Sequence, residues 1–176
     1  MLTSAGYEFD VIPANVDERR LDGETPNEFV SRVAMDKAEA VAVSLEHTRD
    51  VPVVLGADTV VLVSGEVLGK PRDRLAAASM LRRLSGRSHD VLTGVAIVHG
   101  SASRVVVETT RVTLARLGDA TIDWYLSTGE ADDKAGAYGA QGLASRFIEG
   151  IDGSYTNVVG LPIARVDQLL GDLKRP

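Results

Sequence analysis

The stretch PVVLGADTVVLVSGEVLG (residues 52–69) decides the fold. Its first part is a valine-rich apolar run of strand type, and Ser64-Gly65 is turn chemistry that folds it back into a hairpin with EVLG. The run is interrupted by Asp58, a residue that strands disfavour. Working back toward the N-terminus, TPNEFVSRVAMDKAEAVAVSLE (residues 25–46) reads as a long helix. Thr25 caps it, Pro26 suits its first position and Glu28 completes a capping box. Phe29, Val30, Val33, Ala34, Ala38, Val41 and Leu45 follow helical spacing. Before it, VDERRLDGET (residues 16–25) is a polar loop and FDVIPA (residues 9–14) reads as a short strand.

Working forward, a helix is expected over residues 73–84, stopped at Gly86. DVLTGVAIVHG and RVVVETTRVTLARL read as strands separated by a turn near Gly100-Ser101. Asp119 is expected to cap a helix containing Trp124, SRFIEGI to be a short strand, DGSYTNVVGLP a loop, and PIARVDQLLGDL a closing helix with Pro162 at its start. Helices alternating loosely with hairpin-linked strands give an α/β class with a mixed, twisted sheet. At 176 residues, a single domain over residues 1–176 is expected.

Composition excludes several functions. There is no cysteine, so disulfides, zinc-thiolate sites and cysteine nucleophiles are out, and a reducing cytosol fits. The N-terminus lacks the basic and apolar regions of a signal peptide, and no apolar run approaches the roughly 20 residues that span a bilayer. A net charge of −6 argues against gripping long nucleic acid. An anionic ligand would have to be held by a few placed cations or a metal.

Asp58, inside an apolar run, must be paired, metal-bound or at a strand end facing a cleft; a strand-end carboxylate bonded to nearby backbone remains the plain alternative. Thr59 points to the opposite face of a regular strand. Taken alone, Glu18 is a solvated loop acid and Lys37 and Lys70 are surface lysines. GKP (residues 69–71) is not a P-loop. His89 reads as structural, and no serine has the partners of a nucleophilic triad.

GEADDKAGAYGAQG (residues 129–142) is a stronger signal. Gly136, Gly139 and Gly142 permit close backbone approach, and alanines keep side chains short. Tyr138 is available to flank a base, and Gln141 offers a donor and an acceptor to a nucleobase edge. The stretch reads as a pocket for a planar polar ligand, with a flexible loop as the alternative.

In order, GADTVV, GEVLGKPRD, LRRLSGRSHDVLTGV, DKAGAYGAQG and I-DGSYTNVVGLP resemble the Maf family of nucleoside triphosphate pyrophosphatases over essentially the whole chain. The resemblance implies a Maf/Ham1-like (ITPase-like) fold with a central cleft. It implies hydrolysis between the α and β phosphates, with a divalent cation, Mg or Mn. On it Asp58 is the proton acceptor, Glu18 holds metal or water together with Asp58, and Lys37 and Lys70 face the phosphates. Asp133 and Lys134 fall in the same phosphate environment. Thr59 and Gln141 match the pattern of members that hydrolyse dTTP and UTP. A cytoplasmic enzyme and a homodimer are further implications.

The chain departs from the family at its start. Members begin with a strand and an S-x-S-P-R-R segment that offers arginines to the triphosphate, whereas this chain starts at MLTSAGYEF. Either Met1 is an internal methionine of a longer protein, the preferred expectation, or the chain is short and turns over weakly or not at all. The alternatives are thus a non-catalytic nucleotide-binding or regulatory protein, and a pyrophosphatase for modified nucleotides.

Overall fold

The computed structural model describes residues 1–46, 48 and 51–173. Its helices are α1 (Pro26–Ser44), α2 (Arg74–Leu84), α3 (Asp119–Ser127), α4 (Tyr155–Val159) and α5 (Ile163–Leu173). Its strands are β1 (Val54–Val63), β2 (Glu66–Leu68), β3 (Ser88–His99), β4 (Ala102–Leu114) and β5 (Ile148–Asp152). The strands form one five-stranded sheet in the order β2-β1-β3-β4-β5. The class is α/β with helices flanking the sheet, as read from the sequence. The mixed sheet expected narrows to an antiparallel one, since hairpins make the connections β1–β2 and β3–β4 and β5 pairs antiparallel with β4.

Local chemistry explains the boundaries that matter. Thr25 and Glu28 form the capping box at the head of α1, the threonine oxygen accepting from the Glu28 N–H at 3.3 Å and the Glu28 carboxylate from the Thr25 N–H at 2.8 Å. In the β1–β2 hairpin both turn residues, Ser64 and Gly65, have positive φ (50° and 81°). That is the tight turn matched to strand twist, and it sets Val61 opposite Leu68.

The chain divides into two compact units. One comprises the described residues of 1–58, 93–108 and 160–173. Here β3 is buried on both faces. Ala96 and Val98 meet Ala34, Ala38 and Val54, while Val95 and Ile97 meet Val166 and Leu169. Alternate strand residues point to opposite faces, so α1 and α5 cover opposite sides of this strand. Two glycines bring α1 close. A Cβ at Gly56 would lie 2.2 Å from the Ala34 carbonyl oxygen, and one at Gly94 2.2 Å from that of Val30. The other unit, residues 59–92 and 109–159, has a core of Val61, Val63, Val112 and Leu114 packed with Leu81 and Leu84 of α2, Ile122 and Tyr125 of α3, and Phe147.

Several local expectations are corrected. Residues 9–14 form no strand, and Phe9, Val11 and Ile12 are exposed. A strand is made by its pairing partner, and this segment pairs with no strand among the described residues. The loop expected over residues 152–162 contains the short helix α4. Asp119 lies in the first turn of α3, with Gly118 at the cap.

Candidate functional site

The first cluster lies in the unit that contains α1. The Lys37 ammonium is 2.8 Å from Asp58 Oδ1 and 2.7 Å from Glu18 Oε1, and its Nζ is 3.4 Å from the Ala57 carbonyl oxygen. Asp58 sits two residues after Gly56, where α1 approaches the strand most closely, and this seating puts the Lys37 side chain beside it. The Asp58 side chain is 12% exposed and that of Lys37 21%. Burial alone would lower the lysine's pKa, but hydrogen bonds and charge from Asp58 and Glu18 outweigh it and raise the value, so the cluster carries a fixed ammonium at neutral pH. The three residues amount to one net negative charge. Of the readings open for Asp58, the structure has the paired carboxylate, and neither Glu18 nor Lys37 is a solitary surface charge.

Sequence reading missed what holds Glu18. Arg32 on α1 clasps Glu24 through Nε at 2.7 Å and Nη2 at 3.1 Å, and Nη2 also donates to the Arg19 carbonyl at 3.0 Å. The loop is thereby tied to the helix at the residue next to Glu18. Asp17, the other acid of the pair, is engaged by Arg19, which holds its carboxyl down to about 2. The only advance signal was Asp36 one turn after Arg32, the helical ion-pair spacing seen at 3.1 Å.

The second cluster lies in the other unit. The Gly136 N–H donates to the Gly69 carbonyl at 3.0 Å, fastening the glycine-rich stretch to the segment carrying Lys70. The hydrogen bond from Lys134, with that ammonium's charge and a smaller contribution from Lys70, holds the Asp133 carboxyl below its usual range. Lys134 and Asp133 form an ion pair on which the charge of Lys70 also acts. Thr59 is half-buried on β1 and Gln141 is exposed.

The glycine-rich stretch differs from its expected form. It has a good deal to bury: Ala131 and residues 136–140 are all buried. Its close approaches are to the protein itself, since a Cβ at Gly136 (φ 68°) would meet Val61 at 2.8 Å and one at Gly142 would meet Glu130 at 2.2 Å. Tyr138 is 5% exposed and its hydroxyl is 2.7 Å from His89 Nε2, so it anchors the loop from inside and is not placed to stack on a base. Small residues permitted close packing, which is as consistent with an interior as with a pocket wall.

His89 is 3% exposed, and burial depresses its pKa to about 4. A folded value below the ordinary 6.5 means that the unfolded chain takes up the proton first. The stability this neutral histidine carries is complete above about pH 6.5 and is lost as pH falls toward 4, by about 3 kcal/mol in all. We expect His89→Gln to flatten that part of the stability–pH curve, read by urea unfolding at pH 7 and 5.

Among the described residues no group of three or more His, Asp or Glu side chains converges on a point. Glu18 and Asp58 share one cation, the Lys37 ammonium. That donor set suits a hard ion such as Mg²⁺, which keeps waters and takes one or two carboxylates with the remaining oxygens from phosphates. It does not suit an ion caged by protein alone.

Comparison with known proteins gives the family. The family profile described as "Maf-like protein" matches residues 1–173. A protein of Symbiobacterium thermophilum called dTTP/UTP pyrophosphatase is 50% identical over 176 residues, covering 100% of this chain and 89% of its own. One of the same name from Anaeromyxobacter dehalogenans strain 2CP-C is 51% identical over 97% of this chain and 86% of its own. Another, from Clostridioides difficile, is 44% identical over 97% of this chain and 87% of its own. On a family match of nearly full length and relatives at half identity, the chain belongs to the Maf family.

Proposed function

We propose that this protein hydrolyses nucleoside triphosphates to nucleoside monophosphate and pyrophosphate, with dTTP and UTP preferred. The observation that carries the reading is the half-buried Asp58 carboxylate held by Lys37 beside Glu18. Asp58 orients a water and takes its proton as the water oxygen attacks phosphorus in line. The α–β bridging bond breaks and its electron pair leaves with pyrophosphate. Lys37, fixed in its charged form, positions the carboxylate. Lys70 and Lys134 supply charge to the phosphates, with Asp133 orienting Lys134. Glu18 and Asp58 are the residues that would hold Mg²⁺ or Mn²⁺, which when bound neutralises phosphate charge. Thr59 and the exposed Gln141 belong to substrate choice, since a glutamine amide complements the O4 and N3–H edge of uracil or thymine.

The names of the relatives support the substrate class, and the match across the whole chain supports the transfer. No helix among the described residues is long and apolar enough to cross a membrane. A cytoplasmic location and a homodimer remain part of the proposal. Gln141→Glu replaces the amide's donor with an acceptor that the uracil N3–H alone can use. We expect about a tenfold loss of kcat/KM for UTP relative to CTP, with metal dependence retained, measured as pyrophosphate release. An unchanged ranking of nucleotides would remove Gln141 from base reading.

A further inference from the structure

The backbone around Gln141 is a tight turn, the Gly142 N–H donating to the Gly139 carbonyl at 3.1 Å. Both ends of that turn are held by one chain of hydrogen bonds. At its start the Gly139 N–H donates to the Tyr125 hydroxyl oxygen at 3.1 Å. Tyr125 in turn donates to Glu130 Oε1 at 2.9 Å. At the exit, Glu130 Oε2 accepts the Leu143 N–H at 2.8 Å and Oε1 the Ala144 N–H at 3.3 Å. The carboxylate thus receives three donors, and Gly142 packs so closely on it that a Cβ would fall 2.2 Å from Oε2. The Tyr125 ring is fully buried and edge-on to Phe147 at 5.2 Å, so the anchor is rigid.

We infer that Glu130, acting with Tyr125, is a positioning residue for nucleobase selection: its carboxylate clamps both ends of the turn that presents Gln141. The inference rests on the base-reading role given to Gln141 above. The hydrogen-bond partners of the Glu130 carboxylate are backbone N–H groups and one phenol, and the Lys134 ammonium adds its charge. Burial opposes ionisation of Glu130, but the bonds from Leu143, Tyr125 and Ala144 outweigh it and lower its pKa, as expected of a permanent acceptor. The need for an acceptor of this size accounts for the glycine at position 142, which leaves no room for a side chain.

The test compares UTP with CTP, which differ in donor and acceptor at the edge Gln141 would read. Pyrophosphate release is measured for Glu130→Gln, Tyr125→Phe and Gln141→Glu in the full chain, with thermal melting alongside. Glu130→Gln keeps the shape but turns an NH₂ donor toward N–H donors. Tyr125→Phe keeps the ring and removes the hydroxyl that links Glu130 to Gly139. The inference expects both to raise KM for UTP and reduce the UTP:CTP ratio of kcat/KM by about fivefold or more, with kcat for UTP within about threefold of the parent. If both variants melt lower but keep the parent ratio, the clamp is structural only and the inference is overturned. The same holds if kcat falls equally for both nucleotides. If Gln141→Glu itself leaves the ratio unchanged, the base-reading role fails, and the inference falls with it. A ratio changed by Gln141→Glu but by neither of the others removes the inference alone.

Discussion

Asp58→Asn is expected to lower pyrophosphate release from UTP and dTTP by roughly 10²–10⁴-fold, the usual contribution of a positioned general base. The substitution keeps the side chain's shape, and its amide oxygen still accepts from Lys37, so the loss is one of proton acceptance and of a carboxylate that would hold the metal. Lys37 also retains Glu18 at 2.7 Å, which limits the unpaired charge left behind. Melting temperature should therefore move little while turnover collapses. Turnover within about threefold of the parent would remove Asp58 as the base.

The second large effect is on the scaffold that places this cluster. Gly56→Ala would put a methyl carbon 2.2 Å from the Ala34 carbonyl oxygen and 2.8 Å from the Ala38 nitrogen. Both are backbone atoms inside a helix and cannot swing aside. The helix α1 must lift, and Lys37, one residue before Ala38, must lift with it. Gly94→Ala makes the equivalent clash 2.2 Å from the Val30 oxygen, farther from the cluster in sequence. Each should cost about 3 kcal/mol, at the upper end of ordinary overpacking, and lower the melting temperature by roughly 6–12 °C. Gly56→Ala should in addition lose turnover at temperatures where it is still folded, because Lys37 no longer meets Asp58 at 2.8 Å. An unchanged melting temperature for both would show that α1 is not seated on these glycines.

What was legible in the sequence was local. The capping box of Thr25 and Glu28, the Ser64-Gly65 turn and the spacing of Phe29, Val30, Val33, Ala34 and Ala38 each act within a few residues, and each forms as read. The strand expected over residues 9–14 depended on a partner elsewhere, which local pattern does not specify. Asp58 stood out because a carboxylate in a valine run demands a partner, but nothing near it in sequence named Lys37, which lies 21 residues away. Glu130 carried no signal at all. It is one carboxylate among Asp132 and Asp133, distinguished only by reaching Leu143 across 13 positions and Tyr125 inside the fold. The glycines of the stretch were noticed for the right property, close approach, but Gly136 and Gly142 spend it on Val61 and Glu130.

The measurement that tests the central claim most directly is ³¹P NMR of UTP incubated with this chain, with Mg²⁺ or Mn²⁺ and with the metal chelated. The account predicts UMP and pyrophosphate in equal amounts, only when metal is present, and their release slowed by roughly 10²-fold or more in Asp58→Asn. UDP and orthophosphate would contradict cleavage between the α and β phosphates. UTP that binds tightly and stays intact with either metal would contradict catalysis by this chain and make it a nucleotide-binding member of its family.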